Sequence, residues 1–414
     1  MNRFGVAPFV LLSSLVAAIP SAAAQLPEGT GKDLVTGYCS GCHGTNLIEM
    51  SSGYSQGDWK KLIATMMDLS GVPEQEQTIT AYLAEHFPPT DRLAPKLVPG
   101  DQKIAFEEWV MPTLGQRVRD PAEAPDGSIW WAGQYSNRIG RIDPKTGEVK
   151  EFVLPASANP HTVIFDKGNE VWYTGNKNAT IGKLDPATGE ITVIEMPDPN
   201  AKDPHSAVFD DKGRMFFTVQ QSNMVGRLDT ATGEVKLAQV KTPNALPYGI
   251  TLDPDGVPWI SCFGSNCLIK VDPETLELTE IALPDKAARS RRLEAASDGM
   301  IWYLNASQGR LGRYDPKTGE IKEWDSPSGL ASHPYAIAII DDVIWYNESG
   351  MRPDTLVRFD PKTETFQSWA IPSGDIHSGI VRHMRPTAAG DLLIHQSSSN
   401  RVQRVKASPA EAKN

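Results

Sequence analysis

Ile139-Gly140-Arg141-Ile142-Asp143-Pro144-Lys145-Thr146-Gly147 is the stretch that decides the fold of this chain. It reads as a short strand running into a turn whose chemistry is set residue by residue. The Asp side chain bonds the turn backbone, Pro presets φ at the second position, and Gly accepts the left-handed residue that ends the turn. Asp-Pro-x-Thr-Gly returns at Asp185–Gly189 and Asp315–Gly319, and looser copies begin at Asp229, Asp272 and Asp360. Upstream of each turn lies an aromatic strand: Trp130-Trp131, Trp172-Tyr173, Phe216-Phe217, Trp259-Ile260, Trp302-Tyr303 and Trp345-Tyr346, with Leu393-Ile394 in the same place in a seventh copy. Successive aromatic strands are 42 to 48 residues apart. That leaves room for four short strands per repeat, which is a propeller blade.

The ends of the repeat give the blade count. Six Asp turns separate seven aromatic strands, and the last copy has no outer strand after Val402–Val405. Ile104–Pro112 matches the outer strands Glu151–Pro155 and Ile281–Pro284 and supplies the missing one. The expectation is an all-β seven-bladed propeller over residues 103–407, closed by this N-terminal strand, with a tail at 408–414.

The propeller region resembles the virginiamycin B lyase (streptogramin lyase) family. The carriers are Pro160-His161, Pro204-His205, Pro247-Tyr248-Gly249-Ile250 and Pro334-Tyr335, the Trp strands, and Ile139-Gly140 and Val225-Gly226-Arg227. The resemblance implies a His base beside Glu residues that hold magnesium, opening a cyclic ester by elimination. Blade by blade the base falls on His383, the two Glu positions fall on Val381 and near Gln396, and the other pocket His falls on Tyr335. A shifted register finds Asp203-Pro204-His205 beside His161, with Val219 and Gln220 where a second carboxylate belongs; Glu348 holds a comparable position in another blade. A magnesium site needs gathered oxygen ligands, so the lyase chemistry lacks its carboxylates here.

Innermost strands of a propeller converge on its axis. Counting back ten or eleven residues from each aromatic pair gives Arg119, His161, His205, Tyr248, Arg292, Tyr335 and His383, with Arg291 and Arg382 one residue away where the loops are shorter. All seven are polar, which packing does not require and a ligand pocket does. His161, His205 and His383 form a candidate catalytic set and suit a second, transition metal in the channel. The mixture of Arg, His and Tyr equally suits a small anionic substrate. Neither reading prevails on sequence.

Upstream of the propeller stands Cys39-Ser40-Gly41-Cys42-His43. C-x-x-C-H is the attachment site of a c-type haem: two thiols form thioethers to the vinyl groups and the His ligates the iron. Residues 25–87 read as helices at Gly31–Tyr38, Trp59–Leu69 and Gln77–His86, and resemble the small single-haem cytochrome c domains through Cys39, Cys42, His43, Trp59 and Ile79-x-x-Tyr82-Leu83. The resemblance implies a Met as second axial ligand. Met50, Met66 and Met67 are the candidates; Met66, seven residues after Trp59, is favoured over Met67. Residues 88–102, rich in Pro and charge, read as a stiff linker.

Met1–Ala24 has the layout of a secretory signal peptide, with Arg3, an apolar run from Val6 to Ala18, and Ala22-Ala23-Ala24 before Gln25. No later segment reaches the ~18 apolar residues of a membrane span. Haem attachment in an exported chain points to a periplasmic location. Loss of Arg3 with the leader takes the formal net charge from −11 to −12, which excludes an electrostatic case for nucleic acid. Cys262 and Cys267 flank a four-residue hairpin loop, and an oxidising compartment favours their disulfide. The leading expectation is electron transfer, or oxidation of a channel-bound substrate, with a periplasmic redox partner. Its rivals are a lyase with an accessory haem domain and a non-catalytic binding propeller.

Overall fold

The Asp turns fold as their residues require. Asp143 Oδ1 accepts from the Lys145 amide at 2.8 Å, the Gly147 amide donates to the Asp143 carbonyl at 2.8 Å, and Gly147 takes φ 73°. The computed structural model describes residues 26–41, 44–155, 157–374 and 380–409. The leader at 1–24, Cys42, His43, the side chain of Met50 and the residues beyond 409 lie outside the described set.

Among the described residues seven four-stranded antiparallel sheets surround one axis. The first blade runs outward through Val118–Glu123, Ile129–Gly133, Arg138–Ile142 and Val149–Val153. The aromatic strand is second from the axis, where its side chains pack between blades; Trp131, Tyr173, Phe217 and Tyr303 are fully buried. The Gly of the third strand lies under that ring. A Cβ at Gly140, Gly182, Gly226 or Gly312 would collide with Trp131, Tyr173, Phe217 or Tyr303 respectively, which is the physical reason for the Ile-Gly-Arg pattern.

The seventh blade consists of Met384–Pro386, Leu392–Gln396, Arg401–Pro409 and, outermost, Gln102–Val110. The last two pair antiparallel from Gln102↔Pro409 to Val110↔Arg401. The first strand therefore closes the ring, and the propeller spans 102–409 against 103–407 read from the sequence.

Among the described residues four helices precede it: α1 (Lys32–Cys39), α2 (Asn46–Met50), α3 (Gln56–Ala64) and α4 (Pro73–His86). They share a core that includes Val35, Trp59, Leu62, Ile79, Tyr82 and Leu83. The spacing predicts a helix over Trp59–Leu69, but α3 stops at Ala64. The Thr65 amide bonds the Leu62 carbonyl at 3.1 Å, a tighter turn, and Thr65 then serves the propeller. Its carbonyl accepts from the Gly115 amide at 2.9 Å and its hydroxyl donates to the Ser398 carbonyl at 3.1 Å. Met66 and Met67 thus sit in the turn after α3, not on a helix.

Residues 88–102 are held, not free. Asp91–Leu93 forms a 3-10 turn, the Arg352 amide donates to the Leu93 carbonyl at 2.7 Å, and Val98 and Ser368 exchange two bonds of 2.8 Å. The linker backbone finds partners along the sixth blade and fixes the helices over one face of the ring. No described helix is long and apolar enough to cross a membrane.

Candidate functional site

In six blades the inner strand carries one residue more than its partner. Pairing jumps from Pro160↔Gly175 to Val163↔Tyr173, from Pro204↔Val219 to Ala207↔Phe217, and likewise in the first, fourth, fifth and sixth blades. A bulge re-aims the local side chain, and here it turns His161, His205, Tyr248 and Tyr335 to the axis. The same register corrects two positions. Leu293 pairs with Tyr303 and Met384 with Ile394, as Val163 pairs with Tyr173. The residues equivalent to His161 are therefore Arg291 and Arg382, not Arg292 and His383. The interval to the aromatic pair is eleven residues in all but the sixth blade, and a shorter assumed loop causes the slip.

The ring divides into two halves. In the second, third and fourth blades, the His161 and His205 rings lie 3.5 Å apart and the His205 and Tyr248 rings 4.3 Å apart, centroid to centroid. The fifth, sixth, seventh and first blades contribute Arg291, Tyr335, Arg382 and Arg119. The Arg291 guanidinium is 4.4 Å from the Tyr335 ring centroid, and that of Arg382 is 5.7 Å away. The Tyr248 and Tyr335 hydroxyls share a hydrogen bond across the axis.

Arg292 works one layer deeper. It donates to the Arg382 carbonyl at 3.1 Å, to Ser206 Oγ at 3.0 Å and to Asp120 Oδ2 at 3.4 Å, tying four blades together beneath the ring. Asp120 Oδ2 also accepts from Thr162 Oγ1 at 2.8 Å and lies 3.6 Å from His161 Nδ1. His383 shares this deeper layer with Arg292.

Burial, then the surrounding positive charges, holds His161, His205 and His383 well below the ordinary histidine value, so all three are neutral imidazoles at neutral pH. Burial alone would raise Tyr335. Arg291, Arg382 and Arg119 overcome it and hold the phenol below its usual range, while Tyr248 is raised by burial and by Tyr335. Asp203 is pushed up to about 7 by burial, against the bond from Asn176 and the charge of Arg119.

A cavity of about 120 Å³ lies where the helices face the channel. Its helical wall includes Cys39, Ile48, Trp59, Leu62, Met66, Met67 and Leu83, and its propeller wall includes Arg117, Tyr135, Arg382, Ser397 and Asn400. Arg382 belongs to the ring as well, so cavity and channel meet at that side chain. Gly115 (φ 64°) is the close approach that permits this docking; a Cβ there would meet the Met66 carbonyl at 2.8 Å.

The lyase positions are occupied by other chemistry. Val381 is fully buried, Gln396 donates to the Pro372 carbonyl at 2.6 Å, and Glu348 is engaged by the amide and hydroxyl of Ser328. Among the described residues no three His, Cys, Asp or Glu side chains gather to hold a metal ion. Cys262 and Cys267 are bonded across their hairpin, Cα atoms 5.4 Å apart. Sequence reading had no signal for Arg117, Asp120 or the spanning role of Arg292; Arg291 and Arg382 were reachable by a strict eleven-residue count.

A propeller of seven blades with a polar side chain from every blade at its axis is the class that fold and site define. The sequence profile of the virginiamycin B lyase family matches residues 96–358, more than half of the chain, and the chain belongs to that family. Among solved structures it is similar to a streptogramin B lyase, with 24% identity, TM-score 0.66, and coverage of 74% of this chain and 98% of that one. It is similar also to the virginiamycin B lyase of Staphylococcus aureus, with 19% identity, TM-score 0.65 and coverage of 73% and 99%. Hydrazine synthase of Kuenenia stuttgartiensis shares the fold at 12% identity and TM-score 0.57, with coverage of 72% and 96%. Likeness at these identities concerns the fold alone. Against curated protein sequences the chain has no match.

Proposed function

We propose that the chain is an exported c-type cytochrome of the virginiamycin B lyase family, working in the periplasm on a substrate held in the propeller channel. The observation that carries this is the shared cavity, with a thiol and thioethers on its apolar helical wall and the channel mouth on the other. A covalent haem fits its residues. Cys39 lines the cavity and, with Cys42, would form the two thioethers; His43 and Met66, or Met67, would ligate the iron. Cys42 and His43 lie outside the described residues. The Trp59 indole N–H is buried in this wall with no partner among the described residues, a donor suited to a polar edge of the bound group. When bound, such a group supplies one-electron chemistry toward a periplasmic redox partner.

The chain's own residues do the rest. The ring positions and orients the substrate, Arg292 closes the channel beneath it, and the neutral imidazoles of His161 and His205 stand ready to accept a proton. A pyridine haemochrome spectrum and intact mass of the mature protein test the reading. One covalent haem supports it; an unmodified chain overturns it.

Family membership itself favours a second reading, a carbon–oxygen lyase with an accessory haem domain. The Asp203-Pro204-His205 segment beside His161 is its strongest local support. Turnover of a streptogramin that depends on magnesium would establish it.

A further inference from the structure

Arg117 and Arg382 line the cavity and Arg119 and Arg291 stand with Arg382 in the ring, and among the described residues none of the four has a carboxylate within ion-pair reach. Arg117, Arg119, Arg291 and Arg382 are instead apposed to aromatic faces and single dipoles. Arg291 lies 3.8 Å from the Phe263 centroid and Arg117 4.6 Å from that of Tyr135, while Arg119 Nε donates to Gln134 at 3.1 Å. The acids nearby are engaged elsewhere: Asp120 by Thr162 and Arg292, Asp203 by Asn176, Asp354 by the Val381 amide. Arg119 Nη1 and Arg382 Nε are buried and have no hydrogen-bond partner among the described residues, in side chains that are 5% and 9% exposed.

Buried guanidinium charge without a counter-ion is costly, and folded proteins leave few such donors unpaired. Burial and mutual repulsion both work against the charge of Arg117 and of Arg382. A bound anion relieves both. The guanidinium fork matches a planar carboxylate two bonds at a time.

We propose that Arg119, Arg291 and Arg382 form a binding site for a small carboxylic acid, its carboxylate seated against Tyr335 and its remainder facing the imidazoles of His161 and His205. The site names the substrate class of the channel and rests on reading that channel as a substrate pocket; it does not depend on the haem. Arg292 beneath the ring keeps the ligand small. Arg117, on the cavity side, adds to the field that draws an anion to the mouth.

Titration calorimetry of the full mature protein with oxalate as probe, and phosphate as comparison, tests the site. Saturable oxalate binding is expected, tighter than phosphate and weakened about 10- to 100-fold in Arg119→Gln and Arg382→Gln, the loss of one charge-assisted pair. Arg382→Lys, which keeps the charge and loses the fork, should lie between and guards against a Gln variant that does not fold. Arg141→Gln, on the exposed pair with Asp126, should bind as the parent does. Absence of oxalate binding overturns the site, as does unchanged binding in folded Arg119→Gln and Arg382→Gln. Phosphate binding more tightly than oxalate overturns the carboxylate assignment. The haemochrome spectrum of the same sample reports separately on the haem, so either idea can fail without the other.

Discussion

Replacing Asp354 with Asn should flatten part of the pH dependence of stability between about pH 4 and pH 7. Asp354 is 2% exposed; its Oδ2 accepts from the Val381 amide at 2.9 Å and from Asn347 Nδ2 at 3.3 Å, and its Oδ1 has no partner among the described residues. Burial pushes its pKa from 3.8 up to about 7, against Arg352, the Val381 amide, Asn347 and Arg382. The unfolded chain gives up this proton near 3.8 and the folded chain keeps it to about 7, so the native state binds more protons throughout that window. Stability therefore falls as pH rises across it. About three pH units at 1.36 kcal/mol each set an order of magnitude of about 4 kcal/mol, fully felt above pH 7 and absent below pH 4. Asn is neutral at every pH and keeps an acceptor for Val381. The variant should match the parent near pH 4 and exceed it by up to that amount above pH 7. Urea unfolding of both proteins across the range measures the difference. His161, His205, His383 and His395 have depressed values and act with the opposite sign, losing stability as pH falls below about 6.5. They are common to both proteins and cancel. Parallel curves for parent and variant would refute the reasoning.

Other consequences are equally direct. If the chain carries the proposed haem, Met66→Ala should abolish the weak thioether-to-iron band of the oxidised spectrum without releasing the covalent group; survival of the band there and its loss in Met67→Ala would reassign the ligand. Gly182→Ala drives a methyl into the Tyr173 ring, which is 1% exposed, and should cost about 1–3 kcal/mol by urea unfolding; a neutral result would mean that the ring has room to move. Deleting Gln102–Val110 uncovers the edge of Arg401–Pro409 and should lower the unfolding midpoint and promote self-association in light scattering. A monomeric shortened chain of unchanged stability would show that ring closure contributes nothing. With Val381 and Gln396 in the carboxylate positions, little streptogramin opening is expected, and magnesium-dependent turnover of about 1 per second or more would contradict that.

Blade number, blade boundaries and ring closure were legible in the sequence because they rest on local chemistry. An Asp-Pro-x-Thr-Gly turn dictates its own φ angles, a Gly under an aromatic ring repeats with the blade, and an outer strand missing at one end matches a strand present at the other. His161, His205, Tyr248, Tyr335 and Arg119 were legible for the same reason, each holding a fixed distance from its aromatic pair. Arg292 and His383 were misplaced by one residue because hairpin length, and not strand register, was used to count. What no local pattern contains is which groups meet across the axis. That Arg292 bridges four blades, that Arg119 and Arg382 are buried and Arg291 half-buried with no carboxylate opposite them among the described residues, and that α3 ends at Ala64 where Thr65 bonds the propeller all depend on contacts between residues distant in the chain. The cavity joining Met66 to Arg382 is of this kind. Local turn chemistry and periodicity select the units, and the docking of one surface on another decides what the space between them can hold.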